Sequence, residues 1–245
     1  MTGRAPMLAI ASLFVDIQGS RILSGIDLDV GQGEMVCLIG RNGAGKSTTF
    51  RTIMGHRRAV SGSIKLMGRD IGTLPTYAIA RAGIGYAPEE SEVFADLTVA
   101  ENIAMPTWIG DQGGRKLRPP AERIAFAHQV FPKLAGYSAR GGAQLSGGER
   151  KMLSIARALA IDPELLLLDE PFEGLSPTVI PQISEGLASI RKSGRALLVA
   201  ESQFHHVPEF ADRIYVIERG EIIFSGTNAQ ARRDAALMAV LEGGR

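Results

Sequence analysis

Cysteine is almost missing from this sequence. Cys37 stands alone among 245 residues, so no disulfide can form within the chain. That fits a reducing compartment. Cys37 lies in the apolar run Met35-Val36-Cys37-Leu38-Ile39 and reads as a small core residue, not a reactive thiol. An excess of charge is missing too. Lys and Arg number 27 against 26 Asp and Glu, for a net charge of +1. Holding nucleic acid by bulk charge is thereby excluded, though a local basic patch is not. No apolar run approaches the ~18 residues that a spanning helix needs. Work at a membrane would therefore go through docking on a partner. The run from Met7 to Val15 follows Arg4 and mimics a secretory leader. Asp16 comes next without a small-residue cleavage site, and the segment reads instead as a strand of the fold. Repeats and low-complexity tracts are absent as well.

What is present suits a packed core. Hydrophobic residues make up 45% and charged residues 22%, which fits one large α/β domain over residues 1–245. Leu8, Ile10, Leu13, Val15 and Ile17 are strand-like, and Ile26-Asp27-Leu28-Asp29-Val30 alternates. Met35 to Ile39 is continuous and apolar, the pattern of a strand buried on both faces. A glycine-rich loop follows, then a helix-compatible stretch from Lys46 to Met54. From Val99 to Ala160 the pattern is mostly helical, broken at Pro106, at Gly110 to Pro120 and at Gly136 to Gly148. Strands are then expected at Leu165 to Asp169 and Ala196 to Glu201, around a helix from Thr178 to Lys192. Ile214 to Ile217 and Glu221 to Phe224 should form a hairpin about Arg219-Gly220, and the tail from Asn228 to Leu241 should be helical. An α/β core is thus interrupted by a helical insertion.

Three motifs carry chemistry. Gly40-Arg41-Asn42-Gly43-Ala44-Gly45-Lys46-Ser47, followed by Thr48, fits G-x-x-x-x-G-K-S/T between a strand and a helix. Glycines let the backbone curl so that its N–H groups point at phosphate, and a helix N-terminus adds partial positive charge. Lys46 can reach the β- and γ-phosphates of ATP, and Ser47 can ligand Mg²⁺. A chance glycine-rich turn would not need this context. Leu165-Leu166-Leu167-Leu168-Asp169-Glu170 ends a buried strand on two carboxylates. Asp169 is placed for Mg²⁺, and Glu170 for orienting the attacking water. Alone, such a pair is common at strand ends. Leu145-Ser146-Gly147-Gly148-Glu149 starts a helix, where Ser146 and the glycine N–H groups make a second anion site.

With these three motifs in this order, the sequence resembles the ABC ATPase superfamily over essentially its whole length. The resemblance implies the ABC ATPase fold: α/β, a P-loop NTPase core with an N-terminal antiparallel β subdomain and an α-helical subdomain inserted at about 93–160. It implies hydrolysis of ATP with Mg²⁺. Residues 145–149 would grip the γ-phosphate held by a second ABC ATPase subunit, a copy or a paralogue. Transmembrane permease subunits, and indirectly a periplasmic or extracellular solute-binding protein, would be partners, with no nucleic acid. The chain would lie peripherally on the cytoplasmic face of the cell membrane.

Within the superfamily the sequence is similar to the ATPase subunits of branched-chain amino-acid importers and related urea and amide systems. The stretches Gly83 to Glu89, Val93 to Asn102 and Leu168 to Pro177 carry this likeness. Glu89 stands where many relatives have glutamine and is implied to sense Mg²⁺ or water. Three positions depart from the commoner pattern. Ser202 falls on the switch position, often histidine. Ile17 falls where an aromatic residue commonly stacks on adenine, with Phe14 as a fallback. Ser176 replaces an aspartate in the loop after Glu170. His205 and His206 read as surface residues. Phe94 and Trp108 are candidates for a contact with membrane subunits, or else core. Export or lipopolysaccharide transport is the rival reading; a soluble ATPase of the ribosome or DNA is a further one. The basic runs Arg115-Lys116-Leu117-Arg118 and Arg232-Arg233 read as solvated faces.

Overall fold

The computed structural model describes residues 6–108 and 115–242. Its first strands, β1 (Leu8–Ile17) and β2 (Ser20–Val30), pair antiparallel, so the leader-like run belongs to the fold. Ser12, at φ +46°, lies where the register shifts, and Ile10 and Leu13 both stay buried across that bulge. Strand β3 (Met35–Ile39) is buried along its whole length and leads into α1 (Lys46–Ile53). β4 (Ser61–Leu66) and β5 (Arg69–Asp70) complete an antiparallel sheet ordered β2-β1-β4-β5. α2 (Thr76–Ala82) then delivers β6 (Ile84–Ala87).

The expected helical insertion follows. It contains α3 (Val99–Ala104), a 3-10 turn Met105–Trp108, α4 (Pro120–Val130), α5 (Pro132–Ala135) and α6 (Gly147–Ala160). Thr98 and Glu101 start α3 with reciprocal side-chain-to-backbone bonds, as Ser146 and Glu149 do for α6. The loop expected around Gly110 lies partly outside the described residues. Strand β7 (Leu165–Asp169), α7 (Ile180–Lys192) and β8 (Ala196–Glu201) restore the alternation, and β9 (Arg213–Glu218) with β10 (Glu221–Gly226) forms the hairpin. The tail is helical as expected, in two pieces, α8 (Asn228–Arg233) and α9 (Ala235–Glu242). Asp234 breaks them: it turns extended, and its Oδ1 accepts the Leu237 N–H at 3.0 Å, which starts a new helix.

The central sheet is ordered β10-β9-β3-β8-β7-β6, with β3, β8, β7, β6 and β9 parallel. Its two faces serve two cores. Met35, Cys37 and Ile39 point to the helical lobe with Leu166, Leu168, Leu197 and Val199. Val36 and Leu38 point to the N-terminal sheet with Leu165, Leu167 and Leu198. Burial pushes the Cys37 thiol far above its ordinary range, in keeping with a core residue. The parallel register sets Ile39 beside Glu201 and Asp169 beside Ala200. Gly40, Glu170 and Ser202 therefore leave the sheet side by side at its C-terminal edge, where α/β sheets place their ligands.

Two surface expectations need correction. Arg118 is not a solvated charge: its Nε and Nη2 donate to Asp162 Oδ1 at 2.9 and 2.8 Å. Arg195 donates to the same oxygen at 2.6 Å, and both guanidiniums pack on Phe126. A buried carboxylate on the core side draws the basic run inward. His206 is half-buried, with Nδ1 at 3.0 Å from Glu201 Oε2, because the chain folds back as a short 3-10 turn directly after β8. His205 is exposed as expected, and Arg232 and Arg233 are exposed too. Phe94 and Trp108 are not core; they are 45% and 80% exposed.

Candidate active site

The loop from Gly40 to Gly45 joins β3 to α1 and can close only with glycine at its tightest points. A Cβ on Gly40 would lie 2.3 Å from the Ile217 carbonyl. Gly45 has φ +117°, and a Cβ there would meet Leu23 at 2.7 Å. Gly45 caps α1 with no side chain bonded to its N-terminus and no acid in the first turn, leaving those N–H groups to a ligand. A cavity of about 200 Å³ opens there, lined by Asn42, Gly43, Gly45, Lys46, Ser47, Thr48, Glu89 and Glu170. Residues separated by 120 positions or more in sequence thus share one concave surface.

Lys46 is 4% exposed. Its ammonium donates to the Gly40 carbonyl at 2.6 Å and to Ser202 Oγ at 3.0 Å, and pairs with Glu170 Oε1 at 3.1 Å. Arg41 supplies a longer carbonyl contact at 3.3 Å. Ala44 is buried, and its N–H donates to the Arg41 carbonyl at 3.0 Å. Ser47 Oγ donates to Asp169 Oδ1 at 3.3 Å, and Tyr86 donates to Asp169 Oδ2 at 3.3 Å. Burial raises Asp169 to about 6; Glu170 and Glu89 add to this, and the Ser47 and Tyr86 bonds oppose it. Glu89 is also raised, by burial and then by Glu173, Glu90 and Glu170.

Glu170 adopts the left-handed region at φ +48°. Ser202 meets it twice: the Ser202 N–H donates to Oε2 at 2.9 Å, and the hydroxyl donates to Oε1. The same hydroxyl lies 2.6 Å from Asn42 Oδ1, so one proton is shared between the phosphate loop and the carboxylate. Ser202 is thus at the site, bonded to Glu170, Lys46 and Asn42.

The other residues fall elsewhere. Leu145 is buried and Glu149 nearly so, while Ser146 and Gly147 face solvent; none of Leu145, Ser146, Gly147, Gly148 or Glu149 lines the phosphate cavity. Ser146 Oγ accepts the Glu149 N–H, and Glu149 accepts the Ser146 N–H. Ile17 is half-buried against the N-terminal core and also stands off the cavity. Ser176 is exposed and bonds Thr178 at 2.9 Å.

The matching family is ABC transporter, over residues 23–173. The chain belongs to it. This ABC ATPase is 40% identical over 208 residues to the high-affinity branched-chain amino acid transport ATP-binding protein BraG of Pseudomonas aeruginosa, covering 84% of this chain and 87% of that one. It is 35% identical to the lipopolysaccharide export system ATP-binding protein LptB of Haemophilus influenzae, over 97% of both chains. In fold it follows the ADP conformation of an ATP-binding cassette of an ABC transporter, with a TM-score of 0.84 at 23% identity over 98% of this chain and 99% of that one. Among the described residues of the ABC ATPase, no helix is long and apolar enough to cross a membrane.

Spacing rules found the loop and both carboxylates of this ABC ATPase but passed over three neighbours. Tyr86 reaches Asp169 through the pairing of β6 with β7. Lys151 is 5% exposed on α6 and donates to the Glu89 carbonyl at 2.7 Å. Glu201 is fully buried and pushed up to about 7, chiefly by burial. A short continuous apolar run ending in an acid was the only sign of Glu201 in the sequence.

Proposed function

We propose that this ABC ATPase is the energy-supplying subunit of an importer for branched-chain amino acids or a related small polar solute. The observation that carries its chemistry is the gathering of Lys46, Ser47, Asp169 and Glu170 at one sheet edge. Loop N–H groups and Lys46 take the β- and γ-phosphates, with Gly40, Arg41, Asn42, Gly43, Ala44, Gly45 and Thr48 shaping the cradle. Glu170 orients and polarises the attacking water, and Ser202 holds Glu170 in line. Ile17 packs against the base.

Mg²⁺ fits the donor set, since Ser47 Oγ and Asp169 Oδ1 offer two hard oxygens 3.3 Å apart with Glu89 on the cavity wall. Among the described residues no group of three or more His, Cys, Asp and Glu forms a cage, so phosphate and water would complete its shell. When bound, the ion neutralises charge developing on the phosphates. Ser146 and Gly147 face solvent, and with Gly148 they serve the nucleotide of a second subunit, a copy or a paralogue.

Permease subunits dock beside Glu89. A cleft of about 750 Å³ lies there, lined by Arg51, Tyr86, Glu90, Glu92, Pro106 and Arg157 among others. The chain then works peripherally on the cytoplasmic face of the membrane, and a solute-binding protein selects the cargo. Similarity to BraG and the glutamate at position 89 support import. Similarity to LptB over 97% of both chains supports the second reading, lipopolysaccharide export. Co-purification from the native membrane decides between them. A permease pair with a solute-binding protein that takes up a branched-chain amino acid is expected; recovery of lipid-export subunits would overturn import.

A further inference from the structure

Glu201 has no part in the scheme above, yet it is the most enclosed carboxylate at the sheet edge, with none of its surface exposed. A carboxylate is held in such a place only when its oxygens are engaged. Glu201 Oε1 accepts the backbone N–H of Phe172 at 3.0 Å. Its Oε2 faces His206 Nδ1 at 3.0 Å. The His206 ring in turn packs on the Phe172 ring, with centroids 5.9 Å apart. The carbonyl of Glu201 accepts the N–H of Gly40, the first residue of the phosphate loop, at 3.2 Å.

Phe172 lies two residues beyond Glu170, whose φ of +48° is a conformation that a side-chain-bearing residue keeps only when its surroundings impose it. Those surroundings are consecutive residues at the end of β8. The Ala200 carbonyl takes the Glu170 N–H at 3.0 Å. Pro171 has no N–H to offer, so the next donor is Phe172, and Glu201 takes it. Ser202 then holds the Glu170 carboxylate itself.

We infer that Glu201, braced by His206, is a positioning residue that fixes the left-handed turn at Glu170 and so aims its carboxylate. The inference rests on the reading of Glu170 as the water-activating group. A carboxylate displaced by an ångström costs rate but leaves the phosphate cradle intact.

The test is steady-state ATP turnover by the full chain with Mg²⁺, separating kcat from KM. Glu201→Ala should lose about tenfold or more in kcat, with KM for ATP within about twofold. Glu201→Gln keeps an acceptor for the Phe172 N–H, and His206 can meet its amide in the other tautomer; kcat should return to within about threefold of the parent. A Glu201→Ala protein that melts cooperatively and turns over at the parent kcat overturns the inference, as does a Glu201→Gln no better than Glu201→Ala. Should Glu201→Ala not fold, Glu201→Asp decides. It keeps the charge but falls a methylene short, so kcat should drop with KM held; a parent-like kcat overturns the inference. Glu170→Gln run alongside separates the two claims. Parent-rate turnover there removes the reading of Glu170, whereas an inactive Glu170→Gln beside an unaffected Glu201→Ala removes only the role of Glu201.

Discussion

Among single residues, the charges of the site satisfy one another. Lys46 leans on Glu170 and Ser202; under the proposed function, phosphate would compete with them for its ammonium. Lys46→Ala therefore removes the cation that phosphate would recruit. The expected result is loss of nucleotide binding in a fluorescent-ATP titration; unchanged ATP turnover would refute the phosphate-loop assignment. Asp169 has the opposite economy. Folding raises it from 3.8 to about 6, so the folded chain holds the proton more tightly than the unfolded chain does. Its contribution is present below pH 3.8 and is lost as pH rises through about 6, leaving the ionised acid as a cost at neutral pH. Asp169→Asn removes that cost. With EDTA present and no nucleotide, it should raise stability at pH 8 by on the order of 2 kcal/mol, with the gain shrinking toward pH 4. A thermal melt showing equal or lower stability at pH 8 would count against the burial of a charged Asp169.

At the scale of elements, the helical lobe is tied to the core by a few polar knots in addition to its apolar face. Asp162, in the turn between α6 and β7, accepts from Arg118 ahead of α4 and from Arg195 ahead of β8. Despite burial, the Arg118 and Arg195 bonds hold its carboxyl down at about 2. The stabilisation is present above the ordinary 3.8 and is lost as pH falls through about 2. Asp162→Ala leaves two guanidiniums half-buried without their acceptor and should cost about 2–4 kcal/mol in urea melts at pH 7. A loss under about 0.5 kcal/mol would mark the knot as a surface pair instead. The capping of α6 is a second element-level device. Ser146 spends its hydroxyl on the Glu149 N–H, which fixes the turn so that Ser146 and Gly147 present themselves to solvent already shaped.

At the scale of the molecule, the cavity around Lys46 and the 145–149 turn do not meet. The 145–149 turn is absent from the lining of the cavity around Lys46, and a second subunit would bring the two together. Glu170→Gln with ATP and Mg²⁺ should therefore double its mass in size-exclusion light scattering. The double variant Glu170→Gln, Ser146→Arg should still bind ATP yet remain a monomer. A dimer that survives Ser146→Arg would place the signature turn outside the interface.

The motifs and the order of the main elements are legible along the chain, because each is local. A glycine-rich turn before a helix, an apolar run ending in Asp169-Glu170 and a Ser-Gly-Gly helix start are fixed by neighbours along the chain. Even so, the break in the helical tail at Asp234 is not legible there, since it depends on a side-chain cap and not on periodicity. Which residues share the site follows from the packing of the strands. The parallel register of β3, β8 and β7 carries Gly40, Ser202 and Glu170 to one edge, and no spacing rule measures that. It also turned Arg118 and His206 from surface charges into partners of buried acids, since a buried carboxylate draws in whatever donor the fold brings near. Glu201 shows the same limit most plainly: in sequence it is the end of an apolar strand, and in space its carboxylate accepts the Phe172 N–H just past Glu170.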